Sequence, residues 1–153
     1  MFIFRQFFLL LFLSINLILG CKETKDQKTF FPNNYILKVK LVESKVVDKN
    51  GIGNEWSFES YINNQPLNHQ IQELSLKGLN KVTIISRAIE NDPNHDDIGQ
   101  NSIEITPENI FSFLSKNEIK SDVFVYEKYG NGAGNTASCT FTYNIYFDIL
   151  PEK

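Results

Sequence analysis

Two short stretches carry a concentrated set of oxygen-bearing side chains: Asp48-Lys49-Asn50-Gly51-Ile52-Gly53-Asn54-Glu55 and Glu90-Asn91-Asp92-Pro93-Asn94-His95-Asp96-Asp97. Carboxylates and carboxamides punctuated by glycine are what a hard cation needs, since calcium takes about six to eight oxygen ligands in flexible geometry. The candidate metal ligands are Asp48, Asn50, Asn54 and Glu55 in the first stretch and Glu90, Asp92, Asp96 and Asp97 in the second. The second stretch is denser in acid, and holding four carboxylates together without a cation costs like-charge repulsion that solvent only partly screens. A plainer reading competes with this one. Asp and Asn tolerate left-handed backbone and bond their own main chain, so they gather in β-turns with no ion present.

Other chemistry-bearing residues form weaker patterns. His95 beside Asp96 suggests a base with an orienting acid, but no serine or cysteine nucleophile in a strained turn motif accompanies it. Glu43, Glu59 and Glu127 suggest a paired-carboxylate glycosidase, yet acids on the polar face of strands are ordinarily solvated. Trp56 falls in phase with the core. Cys139 reads as a small buried hydrophobe, and Tyr126, Tyr143 and Tyr146 as at most a surface platform. Lysines are scattered and the formal net charge is -3, which gives no electrostatic footprint for nucleic acid.

The elements that must position these residues follow from an apolar period close to two. Tyr35, Leu37, Val39 and Leu41 alternate with Lys38 and Lys40, as in a strand with one wet face. Trp56, Phe58 and Ile62 share the inner side of a second strand, and a hairpin return follows near residues 67–76. Residues 81–89 are apolar enough for a central strand, and 101–105 make a short one. Thr106-Pro107-Glu108 predicts an N-cap, a first-position proline and one or two helical turns through Leu114. Residues 121–129 and 137–150 are the last strands, the latter with Phe141, Tyr143, Ile145, Phe147 and Ile149 on one side. Between them Gly130-Asn131-Gly132-Ala133-Gly134-Asn135 predicts a mobile hairpin loop. The expectation is an all-β antiparallel sandwich of seven or eight strands with one short helix.

Within that layout, the Asp-Lys-Asn-Gly loop between strands and the later run from Ile89-Glu90-Asn91-Asp92 to Asp96-Asp97-Ile98-Gly99 resemble the calcium-binding loops of C2 domains. The resemblance implies a C2-like sandwich, with an immunoglobulin-like one as the alternative. It places Asp48 on the family's first-loop acid, Asp92 on a later-loop acid, and Asp96 or Asp97 on the acid before the Ile-Gly turn. The chain departs from the pattern where the second first-loop acid appears as Asn54 or is displaced to Glu55, and where Glu90 replaces an aspartate. The basic lipid-binding patch has no counterpart, so calcium is implied while calcium-dependent membrane docking is not.

The amino terminus supplies an address. Arg5 is a positive n-region, 7–13 an almost unbroken apolar run, and Ile18-Leu19-Gly20-Cys21 resembles a bacterial lipobox. In that family cleavage precedes the cysteine, which is acylated, so Cys21 is the expected lipid attachment site. The rival is an uncleaved transmembrane segment of about 20 residues, against which Arg5, Gln6, Ser14 and Asn16 interrupt the apolar stretch. Cleavage leaves 133 residues with a formal net charge of -4, because Arg5 is the only charge removed. It also leaves Cys139 without a partner thiol, and with only His69 and His95 besides, zinc and copper are poorly served. Residues 22–29 contain no apolar side chain and read as a tether. The Cys-Lys-Glu start resembles export signals of surface lipoproteins in Bacteroidetes-type bacteria, which implies outer-membrane exposure.

The domain plan is a signal peptide at 1–20, a lipidated cysteine and tether at 21–29, and a sandwich domain at 30–153. The expected function is a non-catalytic binding module of the cell envelope. Its expected partners are the bilayer, through the acyl chains, and a protein or glycan ligand. Two other classes stay open: a small envelope hydrolase, which needs an open coordination position in a concave pocket, and a carbohydrate-binding accessory module, marked by exposed aromatics beside a calcium loop.

Overall fold

The computed structural model describes residues 29–93, 95–130 and 132–151. The export signal, Cys21 and the tether through residue 28 lie outside the described residues.

The alternating apolar stretches form eight strands and one helical turn: β1 (Tyr35–Asp48), β2 (Trp56–Ile62), β3 (Gln65–Pro66), β4 (Gln72–Ser75), β5 (Val82–Glu90), β6 (Asp97–Ile105), α1 (Phe111–Leu114), β7 (Glu118–Tyr126) and β8 (Thr136–Ile149). They make two four-stranded antiparallel sheets, ordered β4-β1-β8-β7 and β3-β2-β5-β6. The protein is an all-β sandwich. Among the described residues no helix is long and apolar enough to cross a membrane.

The core lies between the sheets, where alternation sends every second side chain. Leu37 and Val39 of β1, Val123 and Val125 of β7, and Phe141 and Ile145 of β8 meet Ile62 of β2 and Val82 and Ile84 of β5, all buried. Phe58 packs edge-on against Phe141 with ring centroids 5.7 Å apart. Tyr143 is fully buried, which removes it from the expected surface platform. Its hydroxyl lies 2.8 Å from Ser60 Oγ and 2.7 Å from Ser86 Oγ, so one polar knot ties β8 to β2 and β5 across the core. Cys139 is buried as expected, and burial pushes its thiol up to about 11.

Along one side the sheets close on each other. Gly99 of β6 sits so near the Phe124 carbonyl of β7 that a Cβ would collide with it. Asn101 Nδ2 donates to the Asp122 carbonyl at 2.8 Å along the same seam.

Several boundaries differ from the sequence expectation, β7 among them, which runs Glu118–Tyr126 where the sequence predicts 121–129. β1 continues past Leu41 to Asp48, across a register irregularity between Leu41 and Glu43 that breaks the apolar period. β6 begins at Asp97, not Asn101, because its seam positions Gly99 and Asn101 lack the apolar signature of a strand. The segment after Thr106 opens as a turn, with Asn109 Oδ1 accepting from Thr106 N at 2.7 Å, and only 111–114 are α-helical.

Candidate metal centre

The inward stripes of β5, β6 and β7 all run out in carboxylates at the same end of the sandwich. On β5 the buried series Val82, Ile84, Ser86 and Ala88 ends at Glu90, which is 2 % exposed. Asp97, 3 % exposed, opens β6 and is the direct cross-strand partner of Glu90. On β7 the series Ile119, Ser121, Val123 and Val125 continues one step beyond the strand to Glu127, 6 % exposed. Like charges placed directly opposite on a sheet repel, and burial removes the water that would soften the repulsion.

The exposed Asp92 of the β5–β6 loop joins this group. One carboxylate oxygen each from Glu90, Asp92 and Asp97 lie within 4.8 Å of one another. Oxygens sharing a calcium ion at about 2.4 Å stand at most about 5 Å apart, so the three fit a single ion. None of the ion pairs among the described residues involves them. Burial, and then the charges of Asp92, Glu127, Asp97 and Glu55, raise the pKa of Glu90 above its ordinary value. A bound cation would relieve each of those effects.

Three loops converge here. The β1–β2 loop brings Gly53 against the Glu90 carboxylate, and the β7–β8 loop brings Gly132 against that of Glu127. A Cβ at either glycine would meet the acid where it now stands, and the carboxylate would have to shift to admit one. Asn91 fastens the β5–β6 loop to the β1–β2 loop, its N and Nδ2 donating to the Glu55 carbonyl at 2.7 and 3.2 Å. Asn50 Nδ2 reaches the Thr136 carbonyl at 3.4 Å, joining the first loop to the start of β8. Trp56, half-buried against the core, donates its indole N–H to the Gly53 carbonyl at 3.0 Å.

The eight sequence-predicted ligands therefore divide. Glu90, Asp92 and Asp97 come together, while Asp48, Glu55 and Asp96 are exposed and lie outside that group. Asp48 Oδ1 accepts from Asn50 N at 3.0 Å, an Asx turn, and Asn54 Oδ1 accepts from Lys49 Nζ at 2.7 Å. Asp48 and Asn54 thus bond within their own loop, and the Asn50 side chain bonds to the start of β8. His95 is exposed, its ring 5.0 Å from that of Tyr129.

Glu127 is the residue that sequence reasoning misplaced. Its residue type groups it with Glu43 and Glu59 as a solvated strand acid. Glu43 is exposed and pairs with Lys45 at 2.8 Å, and Glu59 is half-buried and pairs with Arg87 at 3.1 Å. Glu127 instead points inward, and the signal for it in the sequence is the β7 alternation of Val123 and Val125 extended by one step. No protein-family model and no curated protein matches the chain.

Proposed function

We propose that this chain is a lipid-anchored module of the bacterial cell envelope whose sandwich holds a calcium ion at one loop end and serves binding, not catalysis. The observation that carries the calcium half is the buried, directly opposed pair Glu90 and Asp97 with Asp92 beside it. An all-oxygen donor set of this charge suits calcium and offers nothing that zinc or copper prefers. The anchoring half rests on the lipobox-like residues ending at Cys21, where two or more acyl chains would hold the domain stably on a membrane. The C2-like loop pattern adds to the calcium reading through Asp92 and Asp97, and leaves Asp48 with a turn to stabilise.

Tyr129 favours a second reading, the carbohydrate-binding accessory module. It is 61 % exposed, lies two residues after Glu127 and packs on His95, which sets a free aromatic face beside the acidic end. Calcium-dependent retention on immobilised polysaccharide, lost in Tyr129→Ala, would select that reading.

Two measurements test the proposal. Cys21→Ser should shift the protein from the membrane fraction to the soluble fraction, and unchanged retention would point to an uncleaved apolar anchor instead. Calcium titration of the wild-type protein should saturate near one ion per chain, and an absence of binding at millimolar calcium would remove the metal site.

A further inference from the structure

The chain enters the sandwich at the end opposite the carboxylates. Phe31 is buried there, and its N–H donates to the Leu79 carbonyl at 2.9 Å, which fixes the point of entry. The Thr106 hydroxyl, the Glu108 main chain and the Thr29 hydroxyl hold the Glu108 carboxyl below its ordinary pKa, which sets Thr29 beside the turn that precedes α1. β8 finishes at the same place. Its Ile149 pairs with Tyr35, Leu150 N donates to the Asn34 carbonyl at 2.8 Å, and Asn34 Nδ2 donates to the Leu150 carbonyl at 3.1 Å. The other end of β8, Thr136, lies beside the β1–β2 loop, and the 14 residues of the strand put roughly 40 Å between the two ends.

Apolar side chains face solvent at this entry end. Ile110 and Phe113 pack on the core, which leaves Phe111, 74 % exposed, and Leu114 of α1 outside. Phe30, Ile149 and Leu150 are exposed at the same end. Ile145 N donates to the Asn117 carbonyl at 3.1 Å, holding the segment after α1 against β8. The exposed charges here, Lys77, Lys116, Glu108 and Glu118, are of both signs, so the face is apolar with a mixed rim. Exposed apolar groups gathered in one place mark a surface for a partner or a membrane. The chain before Thr29 chooses between them. Only residues 22–28 separate Thr29 from Cys21, and at most about 3.6 Å per residue keeps the two within roughly 30 Å.

Resting on the lipid-anchored reading above, we propose that Phe30, Phe111, Leu114, Ile149 and Leu150 form a membrane-contact face that lies on the bilayer holding the acylated Cys21, so that the carboxylate end points away from the membrane. A short tether keeps this face at high effective concentration near the lipid, so a contact too weak to bind a free domain suffices. Aromatic and aliphatic side chains enter the boundary between headgroups and acyl chains. Among the described residues no basic cluster stands at this end, so the contact does not depend on anionic lipid. The arrangement carries Tyr129 and the acidic loops outward, where a ligand beyond the membrane reaches them.

The chain carries its own internal standard. Trp56 is its one tryptophan and stands opposite Glu90, at the end away from the membrane. The acylated full chain is reconstituted into zwitterionic phosphatidylcholine vesicles with brominated acyl chains, which quench tryptophan in contact with lipid. Vesicle flotation and tryptophan emission are read for wild type, Phe111→Trp and the loop-end control Tyr129→Trp, both substitutions falling on exposed aromatic positions. All three should float. The emission added in Phe111→Trp should fall by about half or more relative to unbrominated vesicles, because such side chains bury about 5–10 Å into the lipid boundary. Emission from Trp56, and that added in Tyr129→Trp, should be unchanged. Flotation without quenching in Phe111→Trp would overturn the contact face and leave the anchor standing. Equal quenching in Tyr129→Trp would lay the domain on its side and overturn the end-on placement. A concentration-dependent shift of the Phe111→Trp emission without quenching would seat a second copy on the face and overturn the bilayer contact. Failure of the wild type to float would overturn anchor and contact together.

Discussion

Glu90 is caught between two costs: ionised, it faces Asp97 and Glu127 in a space with little water, and protonated, it gives up its affinity for a cation. Burial and the neighbouring carboxylates raise its pKa above 4.5, so the folded chain keeps this proton to higher pH than the unfolded chain does. Over that interval the folded state binds more protons, and stability falls as pH rises through it. The contribution is favourable below the ordinary glutamate range and unfavourable above the raised value. In chelator, the melting-temperature gap between Glu90→Gln and wild type should therefore widen in favour of the variant as pH climbs from about 4.5 toward neutrality. Melts at several pH values check this, and a constant gap would mean that Glu90 is not strained by its charge. Saturating calcium should reverse the order, since the variant lacks the charge that holds the ion.

At the scale of elements, the Tyr143 knot spans the core in the middle, while the carboxylates gather at one end of a single sheet. Tyr143→Phe removes an oxygen that two buried serines share, while Ser60 keeps its bond to the Ile85 carbonyl at 3.1 Å. Denaturant unfolding should show a loss of about 1–3 kcal/mol, and a neutral result would mean that Ser86 finds another partner. How much of the elements was legible follows from what their inner faces bear. β2, β5 and β8 were readable because apolar residues repeat with period two on one side. β6 was cut short because its inward residues are Asp97, Gly99 and Asn101, chosen by the site and by the seam with β7 and not by the core. β1 was cut short at the irregularity after Leu41, where the phase shifts and polar residues follow. Glu127 escapes the sequence for the opposite reason: the alternation that places it inward is present, but a glutamate on a strand ordinarily signals solvation. A polar residue in the phase of a core stripe marks a site as clearly as an acidic loop does.

For the whole molecule, the sandwich separates two tasks. The core and the β6–β7 seam hold the sheets together, and the end where three loops meet collects negative charge that neutral packing cannot satisfy. The acidic loops were visible in the sequence, but their division into ligands and turns was not, because it depends on which loop residues lie over the ends of β5, β6 and β7. Asp92 lies there with the strand residues Glu90 and Asp97, whereas Asp48 and Asn54 spend their oxygens on their own loop. The most direct test of this account is the melting temperature of the sandwich domain, residues 30–153, in millimolar calcium and in chelator at neutral pH. An ion bound only to the folded state adds roughly RT ln(1 + [L]/Kd), about 2.7 kcal/mol at a hundredfold excess over Kd. The account predicts a rise of roughly 5 °C or more in calcium. Identical melts in calcium and chelator would contradict it and return the carboxylates at the loop end to a site without an ion.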